Sequence, residues 1–413
     1  MIRKEILSGV IESQRNWILH LEKGILREKI KDIKFFDSFA FVITGIRRCG
    51  KSTMLSQILN KQKKFYYLNL EDPRLEGFEL GDFNRADEIF KELYGQGGIY
   101  FFDEVQNIPK WESFIRFLTD KKETIVLTGS NASLLSGELG TKLTGRNIQL
   151  ELYPFSYREF LKLQKLKPGK KSFEEYLIDG GFPEFLKRGD KTILQELLKD
   201  VVMRDIVNRY GIKNTSVLRK LAIYLISHAG KEFSHNSLKR MFEIKSVQSI
   251  IDYVSYLEDS YLIFTVPKFS YSYKKQQMNP KKVYSIDNGL SNANSITFSE
   301  DKGKMLENSV FLELKRRYQE IFYYQKSGEC DFLVKEKGIL GAIQVCYELN
   351  DENEKREING LLEALKELKL KEGLILTYDQ EDEYSIEGKK IAIKPVWTWL
   401  EGDLSWQSKR KIL

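Results

Sequence analysis

The sequence predicts an α/β protein of several domains, and three observations lead to this prediction. The chain has 413 residues, more than one hydrophobic core usually serves. Hydrophobic residues make up 42% of it and charged residues 30%, so several packed cores can form. Between residues 40 and 152, short apolar runs alternate with polar segments of helix length. This alternation is typical of a parallel sheet covered by helices on both faces.

The composition excludes several classes of protein. No uncharged apolar run approaches the ~18 residues that a membrane helix needs, and charges interrupt the apolar residues at the N-terminus, unlike a secretory signal. Cys49, Cys330 and Cys346 are too few and too scattered for a disulfide framework, and the three histidines form no zinc-ligand spacing with them. We therefore expect a cytoplasmic protein with no membrane partner. The net charge of +7 permits a nucleic-acid partner without requiring one.

Changes of pattern along the chain predict five segments. Residues 1–35 form a helical lead-in, and residues 36–152 form the α/β core with its five apolar runs. Residues 153–212 are helical. Residues 213–290 hold three helix-like stretches and then a strand-like, lysine-rich segment. Residues 291–413 alternate helices and strands, which predicts a second α/β domain.

In the lead-in, the apolar residues recur at roughly helical spacing and predict one buried helix face. That face comprises Ile6, Val10, Trp17, Leu21 and Ile25.

Residues 45–52 read GIRRCGKS and match the phosphate-binding pattern GxxxxGK[ST] in full. An apolar run precedes the motif and a helical run follows it, so backbone N–H groups and a helix N-terminus would face the phosphates. Lys51 would bridge the β- and γ-phosphates of ATP, and the Ser52 hydroxyl would bind Mg²⁺. The predicted nucleotide-binding residues are Gly45, Ile46, Arg47, Arg48, Cys49, Gly50, Lys51, Ser52 and Thr53. For Cys49 the simpler interpretation is a small filler, and for Arg47 and Arg48 it is solvent exposure.

An acidic pair, Asp103 and Glu104, ends the apolar run that begins at Ile99. We expect Asp103 to hold the Mg²⁺ shell and Glu104 to orient or deprotonate the attacking water. An acidic pair after a strand can also cap a helix or form a turn, but the upstream phosphate loop favours the catalytic interpretation.

Two further residues are candidates for catalysis. Asn131 follows the fourth apolar run and would contact the γ-phosphate or the water, although it could equally cap the helix that follows. Arg146 precedes the fifth run and is a candidate arginine finger, in its own subunit or across an oligomer interface. A surface ion pair is the alternative for Arg146. The expected reaction is phosphoryl transfer from ATP to water.

These motifs together resemble a known family. TGIRRCGKSTML, FFDEVQ, LTGSNASLLS, LTGR and LYPFSYREF are similar to the prokaryotic AAA-superfamily P-loop ATPases with a C-terminal domain of unknown function. The likeness continues through YLIDGGFPEF, VVMRDIVNRY, PKKVYSIDNGL and LENSVFLELKRR, so it spans nearly the whole chain from about residue 40. The resemblance implies an AAA-type ATPase core, a helical lid, a winged-helix domain and a C-terminal α/β domain of restriction-nuclease-like fold.

The middle of the chain is a candidate nucleic-acid reader. Helix-like stretches at 215–228, 234–242 and 246–259, followed by a strand, suit a winged helix-turn-helix whose third helix enters a major groove. That third helix is poor in base-reading residues, so a winged helix used for protein contact remains open.

Residues 266–286 carry five lysines and no acidic residue, with aromatic residues between them. Lysines pair with phosphates and aromatic rings stack on bases, so this segment predicts contact with DNA or RNA. The alternative is a hairpin whose rings pack inward while its lysines stay solvated. The candidate contacts are Lys274, Lys275, Lys281, Lys282, Tyr271 and Tyr273.

The C-terminal segment has the layout of a restriction-like nuclease with one part missing. Glu307 lies in a helical run, Asp331 begins a strand-like run, and Gln344 lies two residues before Cys346 on the next. In such nucleases a lysine stands where this chain has Cys346. Lys335 lies four residues beyond Asp331, about 13 Å along the strand, and is too far away to replace that lysine. We expect weak or lost cleavage, and both residual Mg²⁺ binding by Glu307, Asp331 and Gln344 and a purely structural role remain open.

The sequence therefore predicts a Mg²⁺-dependent ATPase whose nucleotide state moves a winged-helix and nuclease-like region that acts on nucleic acid. A nucleotide-gated regulator or scaffold with slow turnover is the alternative. An active nuclease is less favoured because of Cys346. The sequence leaves open whether the chain forms a homo-oligomer.

Overall fold

The computed structural model describes residues 1–132, 143, 145–295, 301–336 and 339–402. The chain divides into two compact units. The first comprises residues 1–153 and 259–261, and the second comprises residues 154–258 and those from 262 onward. No helix within the described ranges is both long enough and apolar enough to span a membrane.

A parallel five-stranded sheet forms the centre of the first unit. Its strands pair in the order β2-β3-β4-β1-β5, and every neighbouring pair is parallel. The strands are β1 (Ala40–Thr44), β2 (Phe65–Asn69), β3 (Ile99–Asp103), β4 (Ile125–Gly129) and β5 (Asn147–Glu151). The helices are α1 (Lys4–His20), α2 (Lys51–Leu59), α3 (Leu80–Tyr94) and α4 (Trp111–Asp120). All five strands therefore end at one edge of the sheet, which gathers the residues that follow β1, β3 and β4.

Four of the five apolar runs form strands that are buried on both faces, whereas β5, at the side of the sheet, is half-buried or exposed throughout. Every residue of β1 and β4 is buried, and β2 and β3 are each buried except for one half-buried end residue. A central parallel sheet of this kind has no solvated face, which explains why its strands read as continuous apolar runs rather than as alternating ones.

The N-terminal helix is shorter than expected, and of its expected buried face Val10 is buried (2% exposed) but other residues are not. It ends at His20, and the chain then forms a short 3₁₀ turn at Glu28–Asp32. Ile6 and Trp17, both expected to be buried, are 48% and 49% exposed. The buried face instead includes Gln14, whose Nε2 donates to the Asn69 carbonyl (3.0 Å) and whose Oε1 accepts from the Asn69 N–H (2.7 Å). This polar pairing joins the helix to the edge strand β2.

The second unit begins with helices. They are α5 (Tyr157–Gln164), α6 (Lys170–Asp179), α7 (Pro183–Arg188) and α8 (Thr192–Asp200), which continues through a π-helical segment (Val201–Val207) into α9 (Asn208–Tyr210). Next come α10 (Thr215–Ile226), α11 (His235–Met241) and α12 (Val247–Asp259). Ser156 and Ser234 begin α5 and α11 with capping boxes, in which the serine hydroxyl accepts from a backbone N–H of the first turn.

A small antiparallel sheet follows these helices. Its strands are β6 (Glu232–Phe233), β7 (Ile263–Pro267) and β8 (Lys281–Ser285), in the order β6-β8-β7. A short helix, α13 (Tyr273–Met278), lies between β7 and β8, and α14 (Asn288–Asn294) follows β8.

The C-terminal part of the second unit is built on a mixed six-stranded sheet in the order β13-β14-β12-β11-β10-β9. The strands are β9 (Glu320–Gln325), β10 (Glu329–Glu336), β11 (Ile339–Val345), β12 (Glu372–Thr377), β13 (Asp382–Ile386) and β14 (Lys389–Pro395). The helices are α15 (Lys302–Lys315), α16 (Glu354–Glu367) and α17 (Val396–Glu401).

Successive residues of β10 enter two different cores. Phe332 packs in the cluster that contains Phe311 of α15, whereas Leu333 packs in the cluster that contains Leu361 of α16. Because side chains alternate across a strand, the two helices cover opposite faces of this sheet. The predicted α/β class is confirmed, with a parallel five-stranded sheet, a helical region and a C-terminal mixed sheet.

Candidate nucleotide-binding site

The phosphate loop joins the end of β1 to the start of α2, which begins at Lys51. Gly50 lies directly before the helix with φ of 102°, a left-handed conformation that favours glycine. At Gly45, a side chain would overlap the carbonyl oxygen of Leu152. The two glycines of the motif are therefore needed for the shape of the loop itself.

Lys51 is buried at the centre of this loop. Its Nζ donates to the carbonyl oxygens of Gly45 (3.1 Å) and Ile46 (3.4 Å) and lies 3.2 Å from Oε1 of Glu104. Burial opposes the charge, but the nearby carboxylates of Glu104 and Asp103 outweigh it and raise the pKa of Lys51. The ammonium therefore stays charged at the end of the sheet where phosphates would bind.

Asp103 ends β3 and is only 1% exposed. Its Oδ2 accepts from Ser52 Oγ (2.9 Å) and from Tyr67 OH (3.1 Å), and its Oδ1 accepts a short bond from Thr128 Oγ1. Burial and repulsion from Glu104 raise the pKa of Asp103, while the hydroxyl donors act in the opposite direction. A serine hydroxyl and a carboxylate are hard oxygen donors, so this pair fits the shell of Mg²⁺.

Glu104 follows in a left-handed conformation, with φ of 54°. Its N–H donates to Thr128 Oγ1 (3.0 Å), and its Oε2 accepts from Gln106 Nε2 (2.6 Å) while Oε1 faces Lys51. Burial would raise the pKa of Glu104, but Lys51 and the Gln106 hydrogen bond lower it overall. Glu104 is therefore a carboxylate at neutral pH and can accept a proton.

Sequence reasoning missed two residues here, Thr128 and Gln106. Thr128 bonds both Asp103 and the Glu104 backbone. A polar residue inside the otherwise apolar run IVLTG was a signal that could have identified it. The Gln106 amide donates to Glu104 and to Ser130 Oγ (3.3 Å), and only the folded turn shows these contacts.

Asn131 directly follows Ser130 beyond the end of β4, at the same sheet edge as Asp103, and is 3% exposed. The alternative role, capping the following helix, concerns residues 133–142, which lie outside the described residues. The assignment of Asn131 to the γ-phosphate or the water stays a prediction.

Arg146 lies where the strands of the sheet begin, whereas the phosphate loop lies where they end. Its carbonyl accepts from Ala40 N–H (3.0 Å) at the start of β1, whereas the phosphate loop follows the end of that strand, roughly 13 Å away at 3.3 Å per residue. Its guanidinium pairs with Asp120 (2.7 Å), and the two side chains are 42% and 54% exposed. The expected contact with the nucleotide site of its own subunit is therefore wrong in this arrangement, and the role across an oligomer interface stays a prediction.

The other loop residues differ in exposure. Arg47 lies beside the site, where Nη1 pairs with Oε1 of Glu71 at 2.9 Å, and Arg48 is exposed. Thr53 is half-buried in the first turn of α2, and Ile46 is fully buried.

Cys49 is fully buried, and burial raises the pKa of its thiol, which agrees with a filler. Its carbonyl accepts from Arg27 Nη1 (2.9 Å), and Arg27 Nη2 donates to the Tyr153 carbonyl (2.7 Å). Arg27 thus stabilises the phosphate loop through hydrogen bonds to two backbone carbonyls. No sequence pattern indicates this contact.

In the second unit, Lys282 of β8 is 2% exposed and surrounded by carboxylates. Its Nζ lies 2.6 Å from Glu329, 2.8 Å from Asp331 and 3.4 Å from Glu307. Burial opposes the charge, but Asp331 and Glu307 raise the pKa of Lys282 well above its usual value. The prediction that Lys282 contacts nucleic acid is therefore wrong, because this ammonium is enclosed and neutralised.

Lys282 also stands between the expected metal ligands Glu307 and Asp331. Burial and the repulsion from Asp331 raise the pKa of Glu307 to about 7. Gln344 Oε1 accepts from Asp331 N–H (3.1 Å), and its Nε2 donates to Glu357 (2.5 Å), so both ends of this amide have partners. In the described part of the chain, no group of three or more His, Cys, Asp or Glu side chains could hold a metal. This geometry favours the structural role for Glu307, Asp331 and Gln344.

Cys346 and Lys335 do not supply the missing lysine. The Cys346 thiol donates to the Glu348 carbonyl (3.0 Å), and burial raises its pKa to about 11. Lys335 pairs with the exposed Glu320 at 2.8 Å. The positive charge comes instead from Lys282, on a strand of a different sheet.

The remaining nucleic-acid candidates lie at the surface. Tyr271 and Tyr273 are 78% and 75% exposed, so these two rings do not pack inward. Lys274 and Lys275 are exposed on α13, and Lys281 is half-buried at the start of β8. The segment between β7 and β8 therefore presents aromatic rings and lysines together to solvent.

Three family models match the chain in succession. An AAA domain matches residues 37–161, a domain of unknown function (DUF8612) matches residues 170–301, and another (DUF4143) matches residues 302–399.

The relatives extend over almost the full chain. The uncharacterized protein MJ1544 of Methanocaldococcus jannaschii is 37% identical, covering 97% of this chain and 96% of the relative. An uncharacterized protein of Haemophilus influenzae is 29% identical, covering 88% and 96%. Among solved structures, the ORC1 protein of Aeropyrum pernix in complex with DNA has a TM-score of 0.31 and 12% identity, covering 67% of this chain and 95% of that chain. The chain thus belongs to the family of P-loop ATPase-domain proteins in which an AAA domain is followed by two domains of unknown function.

Proposed function

We propose that this protein is a Mg²⁺-dependent ATPase that transfers the γ-phosphoryl group of ATP to water. The observation that carries this proposal is the hydrogen bond of 2.9 Å between Ser52 Oγ and Asp103 Oδ2. It joins the hydroxyl of the phosphate loop to the carboxylate at the end of β3. These are the two protein groups that hold Mg²⁺ in P-loop NTPases, and bound Mg²⁺ would neutralise phosphate charge.

The residues around this pair have distinct roles in the proposed reaction. Lys51 leaves the loop carbonyls and binds the β- and γ-phosphates. Glu104, which Lys51 then no longer holds, accepts a proton from the attacking water. The water oxygen bonds to the γ-phosphorus while the bond to the β-phosphate oxygen breaks, and ADP leaves.

The ion pair between Lys51 and Glu104 (3.2 Å) supports a second candidate function. Without nucleotide, the base and the phosphate-binding lysine neutralise each other, so ATP must separate them before hydrolysis. A protein of this kind can act as a nucleotide-gated switch with slow turnover. The turnover number decides between the two candidates.

The proposed partner is nucleic acid, bound at the surface formed by Tyr271, Tyr273, Lys274 and Lys275. Exposed aromatic rings stack on bases of any sequence, and lysines neutralise phosphates. Residues 266–286 contain no acidic residue that would repel a nucleic acid. The three helices α10 to α12 and the sheet of β6, β7 and β8 occur in the order of a winged helix, which we propose for this region.

For the C-terminal part of the second unit we propose a restriction-nuclease-like domain that does not cleave. Lys282 Nζ lies 2.8 Å from Asp331 and 3.4 Å from Glu307, so a fixed ammonium already neutralises the carboxylates expected to hold a metal. Both ends of the Gln344 amide are bonded as well. These observations make an active nuclease the least favoured of the candidate functions.

The test is an ATPase assay with single-stranded DNA, double-stranded DNA, RNA or no nucleic acid. We expect Mg²⁺-dependent phosphate release that nucleic acid stimulates. Glu104→Gln should retain ATP but hydrolyse it roughly 10²-fold more slowly, because it keeps the shape and removes the base. Lys61→Ala, in an exposed position just beyond α2, is the matched control and should equal wild type. Turnover of Glu104→Gln within a few-fold of wild type would contradict the assignment of the base.

A further inference from the structure

Gln106 lies in the 3₁₀ turn Val105–Asn107 that follows β3. The left-handed conformation of Glu104 starts this turn. Its Nε2 is 2.6 Å from Oε2 of Glu104 and 3.3 Å from Oγ of Ser130. One amide group thus links the proposed base to the end of β4.

The orientation of this amide follows from chemistry. An ionised carboxylate only accepts hydrogen bonds, so the NH₂ group of Gln106 must face Glu104 and the carbonyl oxygen must point elsewhere. That Oε1 atom is buried and has no hydrogen-bond partner among the described residues. An unsatisfied buried acceptor costs about 1–3 kcal/mol, so a purely structural residue would not be expected to keep one. A water molecule is the simplest donor that would satisfy it.

We propose that Gln106 is a positioning residue for ATP hydrolysis, which holds the Glu104 carboxylate through Nε2 and accepts a hydrogen bond from the attacking water through Oε1. This inference rests on the proposed ATPase function. Before ATP binds, the Glu104 carboxylate contacts Lys51 and Gln106, and the charge of Arg47 acts on it as well. Once Lys51 moves to the phosphates, the Gln106 hydrogen bond of 2.6 Å still holds the carboxylate in place.

In the proposed step, one water proton stays in the hydrogen bond to Gln106 Oε1 and the other passes to the Glu104 carboxylate. The water oxygen then attacks the γ-phosphorus, and the bond to the β-phosphate breaks to release ADP. No further reactant is needed. Because Gln106 acts on the base and the water rather than on the phosphates, its loss should affect kcat and not the affinity for ATP.

The experiment is a double-mutant cycle on the full-length protein, with Gln106→Leu, Glu104→Gln and the double variant. Gln106→Leu should lower kcat about 10- to 100-fold, while ATP affinity measured by calorimetry stays within about two-fold. In the Glu104→Gln background, Gln106→Leu should lower kcat less than about two-fold further, because its effect acts through Glu104. Asn107→Ala, exposed on the same turn, is the matched control. Gln106→Asn, which keeps a shorter amide, provides a second variant if the leucine variant does not fold.

Each outcome separates the two proposals. A wild-type kcat for Gln106→Leu would overturn the positioning role while the ATPase function stands. The same would follow if Gln106→Leu lowered kcat equally in the wild-type and Glu104→Gln backgrounds. A fall in ATP affinity that parallels a fall in thermal stability would assign Gln106 to the fold alone. Absence of turnover in the wild type would instead remove the proposed function itself.

Discussion

Replacing Lys282 by methionine tests the corrected interpretation of the lysine-rich segment. Methionine keeps most of the apolar stem, so the change removes the charge and little of the packing. The variant would leave Asp331, Glu307 and Glu329 without the ammonium that lies within 3.4 Å of all three. Asp331 is only 5% exposed, so water cannot readily take the place of the lysine.

The expected loss of stability in Lys282→Met follows from the burial of these carboxylates. Breaking a buried ion pair by removing one partner typically costs about 3–5 kcal/mol, because an uncompensated charge remains inside the protein. The pKa of Glu307 is already raised to about 7, so this carboxyl can take up a proton and offset part of the loss. We therefore expect the free energy of unfolding to fall by about 3 kcal/mol, near the lower end of that range.

The assay is urea denaturation followed by circular dichroism. Lys275→Met, exposed on the neighbouring α13, is the matched control and should change stability by less than about 0.5 kcal/mol. The double variant Lys282→Met with Asp331→Asn should recover part of the loss, with a coupling energy of about 1–3 kcal/mol, because the unpaired carboxylate charge is removed as well. Stability of Lys282→Met within about 1 kcal/mol of wild type would refute the enclosed ion cluster and return Lys282 to the candidate phosphate contacts.

Three further predictions test the other assignments. Lys51→Ala should abolish productive ATP binding in titration calorimetry, since it deletes the charge that faces the phosphates, and wild-type affinity would remove the phosphate-loop assignment. Arg146→Ala should lower kcat at saturating ATP only under conditions where the protein self-associates, and the same loss in a monomer would contradict the distance seen within one chain. If Arg146 serves only its surface pair, Asp120→Ala and Arg146→Ala should both leave kcat unchanged. Changing Tyr271 and Tyr273 to alanine should weaken binding of single-stranded nucleic acid more than of duplex in filter-binding assays, whereas equal affinities would mean that the rings do not stack on bases.

The burial of Lys282 changes how the basic surface must be tested. A variant that replaces Lys282 together with its neighbours would unfold part of the second unit and abolish binding for an unrelated reason. The informative variant changes only Lys274, Lys275 and Lys281. In this variant the binding constant should depend less steeply on salt. The slope of log K against log salt concentration should become shallower by about 0.7–0.9 for each phosphate that these lysines no longer neutralise.

The sequence alone was sufficient for the α/β class and for the residues at the end of β1 and β3. Five apolar runs at helix-length intervals predict parallel strands, and parallel strands end at one edge. The motif from Gly45 to Ser52 and the pair Asp103 and Glu104 then had to meet there, as Ser52 and Asp103 do at 2.9 Å. These features are local in sequence, because spacing along one strand and the turn after it fixes each of them.

Only the tertiary structure decided the features that depend on pairing between distant segments. Arg146 and the phosphate loop both flank strands of one sheet, but the pairing of Ala40 with Asn147 puts Arg146 at the far edge. Lys282 resembles its solvent-exposed neighbours in sequence, yet alternation along β8 directs it toward Asp331 of another sheet. Gln14 and Gln106 likewise find partners 55 and 24 residues away. The residue type alone does not say whether a lysine, arginine or glutamine meets solvent, a carboxylate or a strand end, because only the packing of the chain determines these surroundings.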